Sequence, residues 1–316
     1  GLSHADAAQA ALQAVLDICA NNDEWNVEGG LRRATQLLGD IPFNTPLLEE
    51  ARTLLDSALI QVEEAGSTLR RAGERIEQDP ERMQAVVGRW VAEMARGMSL
   101  YTHREPGDDG FVALYTVEDL ERYCYYVAGT VGHMLTELFA EEMGDRVDQR
   151  TLADMRHHCE SFGAGLQLVN ILKDVTDDRG RRWSFIPRAA CERVGISIET
   201  LTDEDVRDRS HQAVAPLFDL AKNKLERALQ YALSIPPDQK GVRLFCLLPL
   251  WMAALTLVHA RGNDAMFLTD EEVKISRQAV DQVIADCLAN VSDDTALKAR
   301  YRKLWTARDL PEERRA

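Results

Sequence analysis

Positive charge is scarce in this 316-residue chain: 37 Lys and Arg against 52 Asp and Glu leave a formal charge of −15 and a pI near 5.0. Such a surface repels phosphate backbones and anionic lipid heads, so nucleic acid is excluded as an expected partner. Paired cysteines are missing as well. The six cysteines (Cys19, Cys124, Cys159, Cys191, Cys246, Cys287) are scattered with no C-x-x-C pair. They read as reduced core thiols of a cytoplasmic protein, which excludes a disulfide or zinc framework. No signal peptide is expected, because Gly1-Leu2-Ser3-His4 leads straight into an alanine-rich amphipathic run. The one membrane candidate, Leu244–Val258, has 15 uncharged residues and contains Pro249. That is short of the roughly 20 needed to span a bilayer, so it reads as a buried helix with no transmembrane anchor.

Strand patterning is also lacking, since no run alternates apolar and polar residues for long. Ten prolines and 19 glycines gather at a few places. Between them, apolar residues recur at three- and four-residue spacing. The spacing predicts helices over about 4–20, 46–76, 81–101, 117–142, 149–178, 211–233, 240–262, 271–291 and 294–305. Breaks are expected at Gly29-Gly30, Pro42–Pro46, Pro106–Gly110, Arg179–Pro187 and Pro236-Pro237. With no repeats and no low-complexity linker, one all-α domain over 1–316 is the expectation.

The most informative stretch runs from Gln167 to Asp178. Asp174 and Asp178 are four apart, which on a helix puts their carboxylates on one face. Two carboxylates repel each other, and an acidic chain gains nothing by adding them unless they hold a hard cation such as Mg²⁺. Asn170 and Gln167 extend the stripe by a turn each, and Lys173 adds a positive charge beside the pair. A solvated acidic helix end is the alternative. Against it, Leu166, Leu168, Val169, Ile171 and Leu172 mark a mostly buried helix in which polar groups in register need a task. The second stretch, Tyr123–Gly132, carries small residues at 128, 129 and 132. Glycine inside a helix costs roughly 1 kcal/mol against alanine, so these imply close approach of either another helix or a ligand. The histidines form no ligand set. His133, His157, His158 and His259 read as structural.

Together these stretches resemble the squalene and phytoene synthase family. Residues 123–132 fit its Y-C-x-x-V-A-G-x-V-G segment at every fixed position. Residues 167–178 are similar to its Q-x-x-N-x-x-R-D-x-x-E-D motif, with Lys173 for Arg and Asp177 for Glu. Arg181-Arg182-Trp183-Ser184-Phe185-Ile186-Pro187 looks like its basic and aromatic segment. Cys246–Leu257 resembles the tunnel-lining helix of the squalene synthases in that family. Val273-Lys274-Ile275 resembles their V-K-I-R segment near the nicotinamide site, with Ser276 in place of Arg and Arg277 adjacent. The resemblance covers about 80–290, while 1–45 diverge. The family's first D-x-x-x-D motif has its nearest counterpart at Asp17 and Asn21, where an ordinary helix end is the equal alternative. Three readings of that motif stay open: functional in divergent form, truncated, or lost.

The resemblance implies a helical isoprenoid (terpenoid) synthase bundle around a central hydrophobic cavity. It further implies Mg²⁺-dependent head-to-head joining of two farnesyl diphosphates and NADPH as the reductant that gives squalene. Asp174 and Asp178, with Asp17 and Asn21, would be the metal ligands. Gln167, Asn170, Lys173, Arg181, Arg182 and Trp251 would bind substrate. Tyr123 would handle a proton or steer a cation, and Lys274 and Arg277 would serve NADPH. Peripheral membrane contact for product release is part of the same expectation. Two alternatives stand beside it: a phytoene or dehydrosqualene synthase that needs no nicotinamide, and a non-catalytic family member kept as a binding protein.

Overall fold

The computed structural model describes residues 80–269, 271 and 273–306, all within the compact unit Arg75–Ala316. The expected helices over 4–20 and 46–76, together with Asp17, Asn21 and Cys19, lie outside the described residues.

Helix α1 (Pro80–Thr102) leads through a loop to strand β1 (Val112–Ala113) and helix α2 (Val117–Cys124). A π-helical turn (Tyr125–Gly129) joins α2 to α3 (Thr130–Met143), followed by α4 (Gln149–Lys173), α5 (Val175–Gly180) and strand β2 (Trp183–Ser184). The rest is α6 (Arg188–Glu192), α7 (Arg207–Ser234), α8 (Lys240–Ala260), α9 (Arg277–Asn290) and α10 (Asp294–Thr306).

The centre is α4, which packs against α3, the π turn, α7 and α8. Ser161 to Gly165 are buried on every side, as a helix enclosed by neighbours must be. Glycine supplies the close approaches. A Cβ on Gly132 would lie 2.0 Å from the Cys159 carbonyl oxygen, and one on Gly163 would lie 1.9 Å from that of Ala128. The small residues of the 123–132 segment therefore admit a helix backbone at 132, which settles that open point. The π turn sits at this contact, with the Thr130 N–H reaching back five residues to the Tyr125 carbonyl. One inserted residue of this kind re-aims the flanking faces.

Two expected boundaries move. The helix read over 149–178 divides at Asp174 (φ −104°, ψ 22°). The helix read from 271 starts instead at Arg277, because Ser276 caps it by accepting from the Ala279 N–H. The short helix α6 and the two-residue parallel ladder β1–β2 were not legible in the periodicity. The ladder is closed by Val112 N–H to Arg182 O (3.0 Å) and Leu114 N–H to Ser184 O (3.1 Å). It pins the loop after α1 to the segment after α5.

An ion pair secures the same joint. Arg188 donates to both oxygens of Asp109 and to the Phe111 carbonyl. The guanidinium holds the Asp109 carboxyl well below the usual range, at about 2. A depressed carboxyl pKa contributes stability that is present above the unfolded value of 3.8 and is lost as pH falls through about 2. Asp109→Asn is thus expected to cost about 1 kcal/mol near neutrality, allowing for solvent screening, and nothing at the acid end. Urea titrations across pH would show the two curves converging, and parallel curves would rule the pair out.

Helix α8 is, among the described residues, the one helix long and apolar enough to cross a membrane, and 56% of its apolar window is buried inside the fold. It carries the fully buried Arg243, which donates to the carbonyls of Ala232 (3.4 Å), Leu233 (3.3 Å) and Val291 (2.8 Å) and pairs with Asp294. Replacing Arg243 by Met should cost about 3–5 kcal/mol, because Asp294 and three carbonyls lose their donor. A lowered urea midpoint at constant m-value is the check, and an unshifted midpoint would count against the network. The five cysteines in this region are free and buried.

Candidate active site

The C-terminal end of α4 and the start of α5 form one wall of a cavity of about 330 Å³, contributing Lys173, Asp174, Thr176 and Asp177. Thr256 of α8 forms part of another wall. Glu271 and the Val273–Ile275 segment complete it, so residues a hundred positions apart in the chain share one chamber. Lys173 sits 2.7 and 2.8 Å from the two oxygens of Asp174.

Asp178 does not line this chamber. The Asp178 N–H still donates to the Asp174 carbonyl (3.0 Å), so helical register survives the irregularity at Asp174. Burial raises the Asp178 carboxyl to about 6, and the Asp174 and Asp177 charges add to that while Arg181 and Lys173 oppose it. Its charge also reaches Tyr123. Burial first, then Cys124 and Asp178, push the Tyr123 hydroxyl up to about 12. Tyr123 is buried and belongs to an aromatic row, 4.7 Å from Phe185 and 5.1 Å from Tyr101 between ring centroids, with Trp183 5.6 Å beyond Phe185. The row is braced by Arg104, which lies over the Tyr101 ring (4.4 Å) and makes two 2.6 Å contacts with the Asp119 carboxylate.

The other expected site residues are distributed as follows. Asn170, Arg181 and Arg182 are exposed, and Gln167 is half-buried. Arg182 has a positive φ of 61°, a strained conformation for a residue with a Cβ, and its guanidinium lies over Phe111 (5.1 Å). Arg179 is spent on structure, donating to the Ile198 and Glu199 carbonyls. Lys274 lines the chamber, whereas Arg277 is exposed at the start of α9 and does not. Trp251 is packed in the core against Tyr301 (5.4 Å) instead of lining this chamber. His133 stacks on Trp90 (4.7 Å) and meets the Cys159 sulfur at 3.2 Å. Sequence reasoning missed Glu271 and Thr256. The only signal for Thr256 was that it is the one hydroxyl within the apolar run Leu244–Val258.

Among the described residues no three His, Cys, Asp or Glu side chains converge as a metal-binding group. A hard cation here would accordingly draw on the Asp174–Asp178 pair and complete its shell with water and phosphate oxygens, which is the habit of Mg²⁺. The two carboxylates stand one helical turn apart, with the Asp178 N–H bonded to the Asp174 carbonyl (3.0 Å), and hard carboxylate oxygens are the donor type that Mg²⁺ takes.

Several known proteins are similar to this chain. A squalene synthase of Schizosaccharomyces pombe is 32% identical over 213 residues, 66% of this chain and 44% of that protein. The squalene synthase clz20 of Cochliobolus lunatus is 28% identical over 223 residues, 70% of this chain and 51% of that protein. The chain spans about half the length of these curated relatives. A solved complex of TcSQS with the ligand BPH1237 superposes with a TM-score of 0.60 at 22% identity, covering 98% of this chain and 85% of that one. The fold is thereby the all-α isoprenoid synthase fold. Residues 46–279, which include the aromatic row, the paired aspartates and the Lys274 segment, match the squalene/phytoene synthase family model, and the chain belongs to that family.

Proposed function

We propose that this chain joins two farnesyl diphosphates head to head through presqualene diphosphate, with NADPH reducing the product to squalene. The observation that carries this is the chamber in which Lys173, Asp174 and Asp177 face Lys274. Carboxylates for a cation and ammonium groups for phosphate oxygens stand together there. Mg²⁺ held by Asp174 and Asp178 would offset the charge developing on a departing diphosphate.

The chain's own residues account for the rest. Lys173 and Lys274 attract the diphosphate into an otherwise acidic protein. The face of α8 that begins at Thr256 runs through Met252 and Leu248, both partly buried, to Phe245, which meets Phe139 of α3 at 5.7 Å. Prenyl chains would lie along this apolar track, whose far end at Phe245 is half exposed. Tyr123 keeps its proton at neutral pH, so it serves as a hydrogen-bond donor rather than as a base, and the ring faces of the row stabilise nearby positive charge. Lys274, which lines the chamber, would meet a phosphate of NADPH.

One observation favours a second reading. Ser276 is committed to capping α9, where the squalene synthase pattern has a cation, and this suits a dehydrosqualene- or phytoene-type enzyme that needs no reductant. Incubation with farnesyl diphosphate and Mg²⁺, with and without NADPH, followed by mass spectrometry of extracted lipids, separates the readings. Squalene only with NADPH supports the first, and a C30 polyene regardless of NADPH supports the second. No turnover of farnesyl or geranylgeranyl diphosphate would sink both and leave a non-catalytic binding role.

A further inference from the structure

Thr256 is the one hydroxyl in the apolar run Leu244–Val258 of α8, and together with Lys274 it lines the chamber while being only 9% exposed. Its hydrogen is already committed, because the hydroxyl donates to the Met252 carbonyl one turn earlier at 2.9 Å. What remains is oxygen lone pairs, so in this arrangement Thr256 offers a ligand an acceptor and no donor.

Its position narrows the choice of ligand. One turn back along α8 the side chains are apolar, with Met252 and Leu248 partly buried on the way to Phe245. The facing wall carries Lys173, Asp174 and Asp177. Thr256 therefore stands where the polar chamber meets the apolar track. A hydride donor must place its ring at such a boundary, within reach of a carbon that has just lost its diphosphate. Farnesyl diphosphate presents acceptor oxygens and hydrocarbon, with no N–H to give. The carboxamide of a nicotinamide has two. Glu271 is a further acceptor in the chamber, but it is exposed, and water can satisfy it.

We infer that Thr256 is a binding residue for the reductant, its hydroxyl oxygen accepting a hydrogen bond from the nicotinamide carboxamide and so fixing the ring at the mouth of the apolar track. This rests on the reductive reading proposed above. In the reductive step the bond from carbon to the remaining diphosphate breaks and its electron pair leaves with the diphosphate. The carbon cation takes a hydride, with both its electrons, from the dihydronicotinamide, which is thereby oxidised to the nicotinamide cation.

The test titrates NADPH into the full chain by calorimetry with Mg²⁺ present, and separately measures KM for NADPH and for farnesyl diphosphate. Thr256→Val keeps the branched shape and deletes the oxygen, whereas Thr256→Ser keeps the oxygen. Loss of one neutral hydrogen bond should weaken NADPH binding about tenfold in Thr256→Val, raise KM for NADPH by a similar factor and raise KM for farnesyl diphosphate much less. Thr256→Ser should bind NADPH within about twofold of the wild type. A hydroxyl serving structure alone would move both KM values together. NADPH bound equally by the wild type and Thr256→Val, or as weakly by Thr256→Ser as by Thr256→Val, would overturn the assignment and leave the reductive reading standing. A wild type that binds no NADPH would overturn both.

Discussion

Asp178→Asn should lower turnover of farnesyl diphosphate by two to three orders of magnitude while raising the melting temperature of the metal-free protein. The two effects share one cause. Asp178 is half-buried beside Asp174 and Asp177, and its carboxyl titrates near 6. A carboxyl whose pKa is raised in the folded state binds its proton more tightly there than in the unfolded chain. Its ionisation between 3.8 and about 6 therefore withdraws stability. Removing the charge returns about 1 kcal/mol once solvent screening is allowed for. It also removes a ligand from the proposed cation, and roughly 3–4 kcal/mol of lost charge stabilisation corresponds to the stated drop in rate. Calorimetry near pH 7 in chelator, with and without added Mg²⁺, reads the first half. The wild type should gain stability with Mg²⁺ and the variant should gain little. Single-turnover product analysis reads the second. Full activity in Asp178→Asn would remove this residue from the site, and a lower melting temperature would mean that the carboxylate makes a structural contact.

Gly163→Ala is expected to destabilise the fold by about 3 kcal/mol, the upper end of ordinary overpacking. Helix propensity argues the other way, since alanine in a helix interior gains about 1 kcal/mol over glycine. Packing prevails because the new Cβ would sit 1.9 Å from the Ala128 carbonyl oxygen and 2.5 Å from its carbon, both of them backbone atoms that cannot rotate aside. Relief requires α4 to move off the π turn, and that displaces the end of α4 carrying Asp174. Gly132→Ala, whose Cβ would meet the Cys159 carbonyl oxygen at 2.0 Å, should behave alike. Gly88→Ala is the control. It lies in α1 with nothing within 4 Å of the new Cβ, so it should stabilise by about 0.5–1 kcal/mol. Chemical denaturation of the three variants checks the pattern, and equal shifts at 88 and 163 would contradict it.

The segments around these residues were unequally legible. Long periodic helices were read to within a few residues, because their boundaries are local. Proline and glycine end the helix before 106–110, and the Pro236-Pro237 pair separates α7 from α8. The start of α9 was misread because the stretch 271–275 continues in sequence an apolar spacing that fits a helix, yet Glu271 and Val273–Ile275 lie outside one and line the chamber. A cap at Ser276 decides the boundary, and its strength depends on one backbone N–H that spacing does not reveal.

What the amino-acid sequence determined by itself was the helical class, the paired aspartates one turn apart, the need for close approach at Gly132, and the family resemblance carried by residues 123–132 and 167–178. Each rests on spacing along one helix, which is a property of local geometry. Tertiary structure alone decided which distant groups come together: Lys274 with Lys173 and Asp174 around one chamber, Tyr123 with Phe185, and Trp251 with Tyr301 in place of the chamber. Those meetings, and the shifted acidity of Asp178 and Tyr123 that follows from them, depend on burial and on charges from other elements. Neither quantity exists until the helices have packed.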